Sequence, residues 1–176
     1  LEDCLERIGR VEPECMLAPV YGEGWGYRRR ARLSVRYVEK KGGALVGFRE
    51  RRSTFVTDIQ GCLVLPASVS ALIPGLRALV GKLSIRERLP QIEVAVGDDA
   101  VVLVFRHLLP LSDGDKALLR EFADAAAVQV WLQPRGPDSA ALFHPSPAPE
   151  LFYRLPEFGV RIAFQPTDFT QVNHAV

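Results

Sequence analysis

The chain has 176 residues, 48% of them apolar and 24% charged, with a formal net charge of +1. This is the composition of a globular protein long enough to bury a core without staples, and it lacks the basic excess of a strong nucleic-acid binder. No apolar run approaches the roughly 20 residues that cross a bilayer, and no basic-then-apolar leader opens the chain, so a cytoplasmic, monomeric protein with no membrane partner is expected.

In chain order, Leu1, Leu5 and Ile8 recur at helical spacing and predict a short amphipathic helix over Leu1 to Arg10. Pro13, Pro19, Gly22 and Gly24 then mark a connecting loop, so residues 1–24 read as a flank. From Trp25 the pattern changes. Arg28, Arg30, Arg32, Ser34 and Arg36 alternate with Ala31, Leu33, Val35 and Tyr37, which in a strand of period two puts the arginines on one face. Lys40-Lys41-Gly42-Gly43 predicts a tight turn into a second strand, Ala44 to Arg49, and Ser53 to Asp58 reads as a third. Trp25 and Tyr27 adjoin this face, which suits phosphates and unpaired bases, or else keeps the wet side of a sheet soluble.

Val69, Leu72, Ile73, Leu76, Leu79 and Val80 predict a helix from Ser68 that Pro74-Gly75 should kink or split. Gln91–Val96 and Ala100–Arg106 read as a hairpin across Gly97-Asp98-Asp99. Ser112 with Asp115 resembles a helix N-cap pair ahead of Leu118, Leu119, Phe122 and Ala126. Val128–Leu132 reads as a strand, residues 134–149 as a proline-rich loop or a poorly ordered hairpin tip, and Leu151–Tyr153 and Val160–Phe164 as the last strands. The order predicts an α+β fold: a largely antiparallel sheet with helices packed on one face.

Catalytic signals are few. There is no Gly-rich phosphate loop or G-x-G-x-x-G, and His107, His144 and His174 lack metal-ligand spacing. Cys4, Cys15 and Cys62 form no C-x-x-C pair, and their odd number argues against a disulfide framework. The richest stretch is Pro166-Thr167-Asp168-Phe169-Thr170-Gln171-Val172-Asn173. Phe169 offers a stacking face, Gln171 an amide able to pair with a uracil edge, and Asn173 a helix cap. A proline-marked turn followed by an N-cap is the plainer reading of the same residues.

Phe164-Gln165-Pro166-Thr167-Asp168-Phe169-Thr170-Gln171-Val172-Asn173 resembles the F-x-P-x-D-F-x-Q-V-N signature of the RNA uridine C5-methyltransferases. Trp25 to Arg32 is similar to that family's W-x-Y-R-x-K/R opening, and Val46-Gly47-Phe48-Arg49 to its G-F/Y strand. Val56 to Cys62 resembles a segment of the bacterial enzymes that methylate large-subunit (23S) ribosomal RNA, where it ends in the fourth cysteine of a 4Fe–4S cluster. The resemblance implies that residues 25–164 form a central RNA-binding domain and that residues 165–176 begin a Rossmann-like catalytic domain that binds S-adenosylmethionine.

Starting at Leu1 and ending at Val176, the chain is then read as a piece of a longer enzyme, inactive alone. It implies ribosomal RNA as partner, Trp25, Tyr27, Arg28, Arg30, Arg32 and Arg36 as RNA-binding residues, and Phe169 and Gln171 at the target-base pocket, with Gln171 also near the cofactor. Cys62 would be the fourth cluster ligand. The upstream C-x5-C-x2-C run is absent, so neither S-adenosylmethionine nor a cluster is expected on this piece alone. In the whole enzyme the resemblance implies a cysteine thiolate that attacks uracil C6, methyl transfer to C5, and a carboxylate that removes the C5 proton. A stand-alone RNA-binding or assembly module is the alternative.

Overall fold

In the computed structural model, which describes residues 2–174 and 176, strand β1 (Arg30–Val38) realises the predicted alternation. Ala31, Leu33 and Val35 are buried, Arg32 and Arg36 are exposed, and Ser34 is half-buried. β1 pairs antiparallel with β2 (Gly43–Arg49), Ser34 opposite Gly47 and Val38 opposite Gly43. Gly42 and Gly43 hold φ of +84° and +121° in the connecting turn, where a Cβ would be strained. β3 (Val56–Asp58) pairs with β2, shorter than the strand expected from Ser53.

Beyond β1 lie β4 (Gln91–Val96), β5 (Val101–Arg106), β6 (Gln129–Gln133) and β7 (Ala141–His144), giving the order β3-β2-β1-β4-β5-β6-β7. Neighbours are antiparallel except β5 and β6, which run parallel. A parallel neighbour needs a crossover, and α3 (Asp113–Ala126) supplies it. Residues 134–149, read from sequence as a loop or hairpin tip, contain β7, which covers the outer edge of β6.

The helix expected from Ser68 is split, but ahead of the proline. α1 (Ala67–Ser70) ends, and α2 (Ile73–Lys82) begins with Pro74 in its first turn, where a missing N–H removes no helical bond. α3 is held at its start by the predicted pair: Ser112 Oγ accepts from the Asp115 backbone N–H at 3.1 Å, and Asp115 Oδ2 accepts from the Ser112 N–H at 3.0 Å. All three helices cover one face. Leu33, Val46, Ile92, Leu103, Phe105 and Val130 from the sheet meet Val69, Ile73, Leu76, Val80 and Leu119, each contributing about 1.5–3 kcal/mol by leaving water.

The opposite face is covered in part. β8 (Phe152–Leu155) and β9 (Val160–Ala163) form a separate hairpin. Leu151 and Phe164, at its base, pack with Ala95, Val102, Val104 and Trp131. A Cβ on Gly97 would lie 2.7 Å from the Phe152 carbonyl oxygen, so the hairpin backbone rests directly on the β4–β5 turn. At the N-terminus the expected helix is a short helical segment, Cys4–Gly9, with no buried residue. No helix among the described residues is long and apolar enough to cross a membrane.

Candidate nucleic-acid interface and base-reading cleft

The Phe164–Asn173 string is docked along the start of β1. A turn opens it: the Asp168 backbone N–H donates to the Gln165 carbonyl at 2.9 Å, and Asp168 Oδ2 accepts from the Gln165 N–H at 2.7 Å. Pro166 is buried, and its carbonyl accepts from an Arg30 guanidinium nitrogen at 2.9 Å. Further on, the Arg29 N–H donates to the Val172 carbonyl at 2.9 Å, and Arg28 forms an antiparallel bridge with Asn173. The string thus lies against the residues that lead into β1, an interior strand of the sheet.

This docking brings Gln171 to the rim of a cavity of about 200 Å³, with Arg29, Tyr153, Phe164, Asn173 and His174 among its lining residues. The rings of Tyr153 and Phe164 lie 5.8 Å apart, and His174 meets Tyr153 edge-on at 5.8 Å. Aromatic walls with two amides, Gln171 and Asn173, suit a flat, polar-edged ligand. Sites for drug-sized ligands run to roughly 300–1,000 Å³, so the residues present do not by themselves enclose S-adenosylmethionine. Phe169 stands outside the cavity, 87% exposed.

The cavity has an anchor that pattern reading missed. Asp98, in the β4–β5 turn, accepts from Arg29 Nη1 at 2.7 Å and from the Arg154 backbone N–H at 2.9 Å, and His174 Nε2 lies 3.8 Å away. One carboxylate therefore joins the start of β1, the β8–β9 hairpin and the end of the string. Burial by itself raises the Asp98 pKa, but the Arg29 and Arg154 hydrogen bonds and the charges of Arg29 and His174 outweigh it and hold it below the usual aspartate value. Gly97-Asp98-Asp99 is legible in sequence as a turn. Its bonding partners stand 69 and 56 positions away, where no local pattern reaches.

The predicted RNA-binding arginines separate into unlike groups. Arg32 pairs with Glu93 at 3.0 Å, and Arg30 is half-buried under the string, its pKa lowered by burial against the raising pull of Glu93 and Asp168. Arg28 is half-buried, with its backbone N–H on the Val64 carbonyl. Arg36 is exposed and reaches the Thr54 carbonyl at 3.4 Å. Trp25 is 65% exposed, and Tyr27 is half-buried beside it.

Cys62 is half-buried in the turn before α1, its backbone N–H donating to Ser70 Oγ at 2.8 Å, whereas Cys4 and Cys15 are exposed. Among the described residues no three His, Cys, Asp or Glu side chains converge to hold a metal ion. With three cysteines in the chain, the residues present do not make up the four-thiolate ligand set of a cluster.

No family model matches the chain. Among curated relatives it is 57% identical, over all of its 176 residues and 40% of the relative, to the 23S rRNA (uracil(1939)-C(5))-methyltransferase RlmD of Cupriavidus necator. It is 60% identical, again over all of its length and 40% of the relative, to the protein of the same name from Nitrosospira multiformis. Among solved structures, the tRNA (uracil-54, C5)-methyltransferase of Pyrococcus abyssi in complex with S-adenosyl-L-homocysteine superposes with a TM-score of 0.60 at 19% identity. That match covers 86% of this chain and 38% of the other, and it shows a shared fold. The chain spans about two fifths of the length of the curated relatives it matches. By sequence, the chain belongs throughout to the RNA uridine C5-methyltransferase family, as a homologue of one segment of its bacterial 23S ribosomal RNA members.

Proposed function

We propose that this chain is the RNA-substrate-binding part of an S-adenosylmethionine-dependent enzyme that methylates C5 of a uridine in ribosomal RNA. The observation that carries the reading is the docking of the Phe164–Asn173 string on the start of the basic strand, which sets Gln171 at an aromatic-walled cavity. Gln171 hydrogen-bonds the edge of an extruded uracil, and Phe169 stacks on it or on the base next to it. Arg28, Arg36 and the exposed head of Arg32, with Trp25 and Tyr27, hold the flanking strand. Residues 1–24 are a flank, 25–164 the RNA-binding domain, and 165–176 the junction with a cofactor-binding domain. Cys62 would be one cluster ligand in the whole protein. A stand-alone RNA-binding module is the weaker reading, because the relatives that contain this segment are methyltransferases by name.

The test is Gln171→Ala in the full-length protein. Losing a hydrogen bond that strengthens as the base is held for reaction should lower C5 methylation of ribosomal RNA about tenfold or more. Undiminished turnover, with RNA affinity also unchanged, would remove Gln171 from the base pocket.

A further inference from the structure

The cations best placed to meet an RNA backbone lie outside the set that strand periodicity nominates. Arg29, Arg32, Arg77, Arg154 and Arg161 are all committed to carboxylates. Arg49, Arg51 and Arg52, around the β2–β3 turn, are exposed and make no ion pair among the described residues. Glu50, also exposed, is the one acidic residue within this turn. Phe55, at its far end, is 61% exposed.

The turn has a defined shape. The Glu50 N–H donates to the Phe55 carbonyl at 3.1 Å, the Ser53 N–H to the Glu50 carbonyl at 3.2 Å, and the Phe55 N–H to Ser53 Oγ at 2.9 Å. Arg52 sits at φ +57°, a left-handed conformation that favours glycine, yet the position carries a cation. The turn is also continuous with the arginine face. Ser34 opposite Gly47 and Arg36 opposite Leu45 put Arg49 on the same side of the sheet as Arg32 and Arg36, and Arg36 bonds the turn at Thr54.

We propose that the β2–β3 turn is a second RNA contact, in which Arg49, Arg51 and Arg52 bind phosphates of a stem and Phe55 stacks on an unpaired base at its end. The proposal rests on the RNA-binding reading above and names a site on a different element. Arginines in a fixed turn hold phosphates without reading sequence, and an exposed aromatic ring accepts any base. The turn would therefore hold RNA shape while the cleft at Gln171 handles one base.

The experiment measures binding of a fluorescein-labelled stem-loop oligoribonucleotide to this chain by anisotropy across a salt series, beside a fully paired duplex of the same length. Replacing Arg49, Arg51 and Arg52 together with glutamine should flatten the log affinity against log salt slope by about 2–3. That corresponds to about 16–64-fold less affinity lost between 50 and 200 mM salt.

Arg52→Gly alone removes one charge while easing the backbone, so the slope should fall by roughly 0.7–0.9 with no loss of melting temperature. Phe55→Ala should weaken stem-loop binding about fivefold or more, leaving the slope and duplex binding unchanged. An unaltered slope in both arginine variants overturns the proposal if charge reversal at Arg28 and Arg36 still abolishes binding, and in that case the RNA-binding reading stands. No RNA binding by the unmodified chain at low salt overturns both.

Discussion

Two aspartates hold this molecule together at opposite faces of the sheet, and they do so by different physics. Asp115 lies in the first turn of α3, 2% exposed, and accepts from neutral groups: Ser84 N–H at 2.7 Å, Ser84 Oγ at 2.6 Å, Ser112 N–H at 3.0 Å and Ser112 Oγ at 2.8 Å. Asp98 lies at the other face and accepts chiefly from arginines on distant segments. The pKa of each is below the ordinary value of 3.8 because hydrogen bonds overcome the opposing effect of burial. The first is a local cap that fixes the start of α3 in the core. The second is an electrostatic clasp between β1, the β8–β9 hairpin and the string that carries Gln171. The helix side is thus held by a local cap, and the hairpin side is built from contacts that charge and salt can modulate.

The largest expected effect separates the two. Asp115→Ala removes the capping box together with the buried carboxylate that accepts four hydrogen bonds from Ser84 and Ser112, which should cost about 2–4 kcal/mol in chemical denaturation. Asp98→Asn keeps the shape and one acceptor but loses the charge, and about 1–2 kcal/mol is expected at low salt. Amide exchange at Arg29, whose N–H bonds Val172, should then accelerate more than at Leu33 in the core. Near 1 M salt, where the screening length is roughly 3 Å, the Asp98→Asn deficit should shrink while that of Asp115→Ala persists. Equal attenuation of the two would erase the distinction between cap and clasp.

Acid should produce the smallest effect. Both aspartates titrate lower in the folded than in the unfolded chain, so each contributes stability that is full above the unfolded value. That contribution is lost as pH falls through the folded one, below 3.8. The stability gap between the unmodified chain and Asp115→Ala should accordingly narrow as denaturation is repeated from pH 6 down to about pH 3. A gap that stays constant over that range would mean that Asp115 acts through packing alone.

Much of the fold was legible because its signals are local. The alternation of Arg32, Ser34 and Arg36 with Ala31, Leu33 and Val35 gave β1 and its two faces, Gly42-Gly43 gave the turn, and Ser112 with Asp115 gave the start of α3. The split between α1 and α2 was anticipated but misplaced, since Pro74 is harmless in a first turn and the break falls at Ala71-Leu72. The parallel β5–β6 pair and the strand within residues 134–149 were not legible. Both depend on which edge of the sheet is open once the helix has crossed over it.

The sequence by itself determined the family, the basic strand and the string with Phe169 and Gln171, because spelling and period survive without coordinates. Only the tertiary structure decided which of those residues are available. It turned Arg32 to Glu93, sank Arg30 beneath Pro166, set Gln171 at the cavity, and left Arg49, Arg51 and Arg52 without an ion pair among the described residues. The reason is physical: whether a charge is free depends on what lies within about 4 Å of it, and those neighbours come from strands and turns far away along the chain.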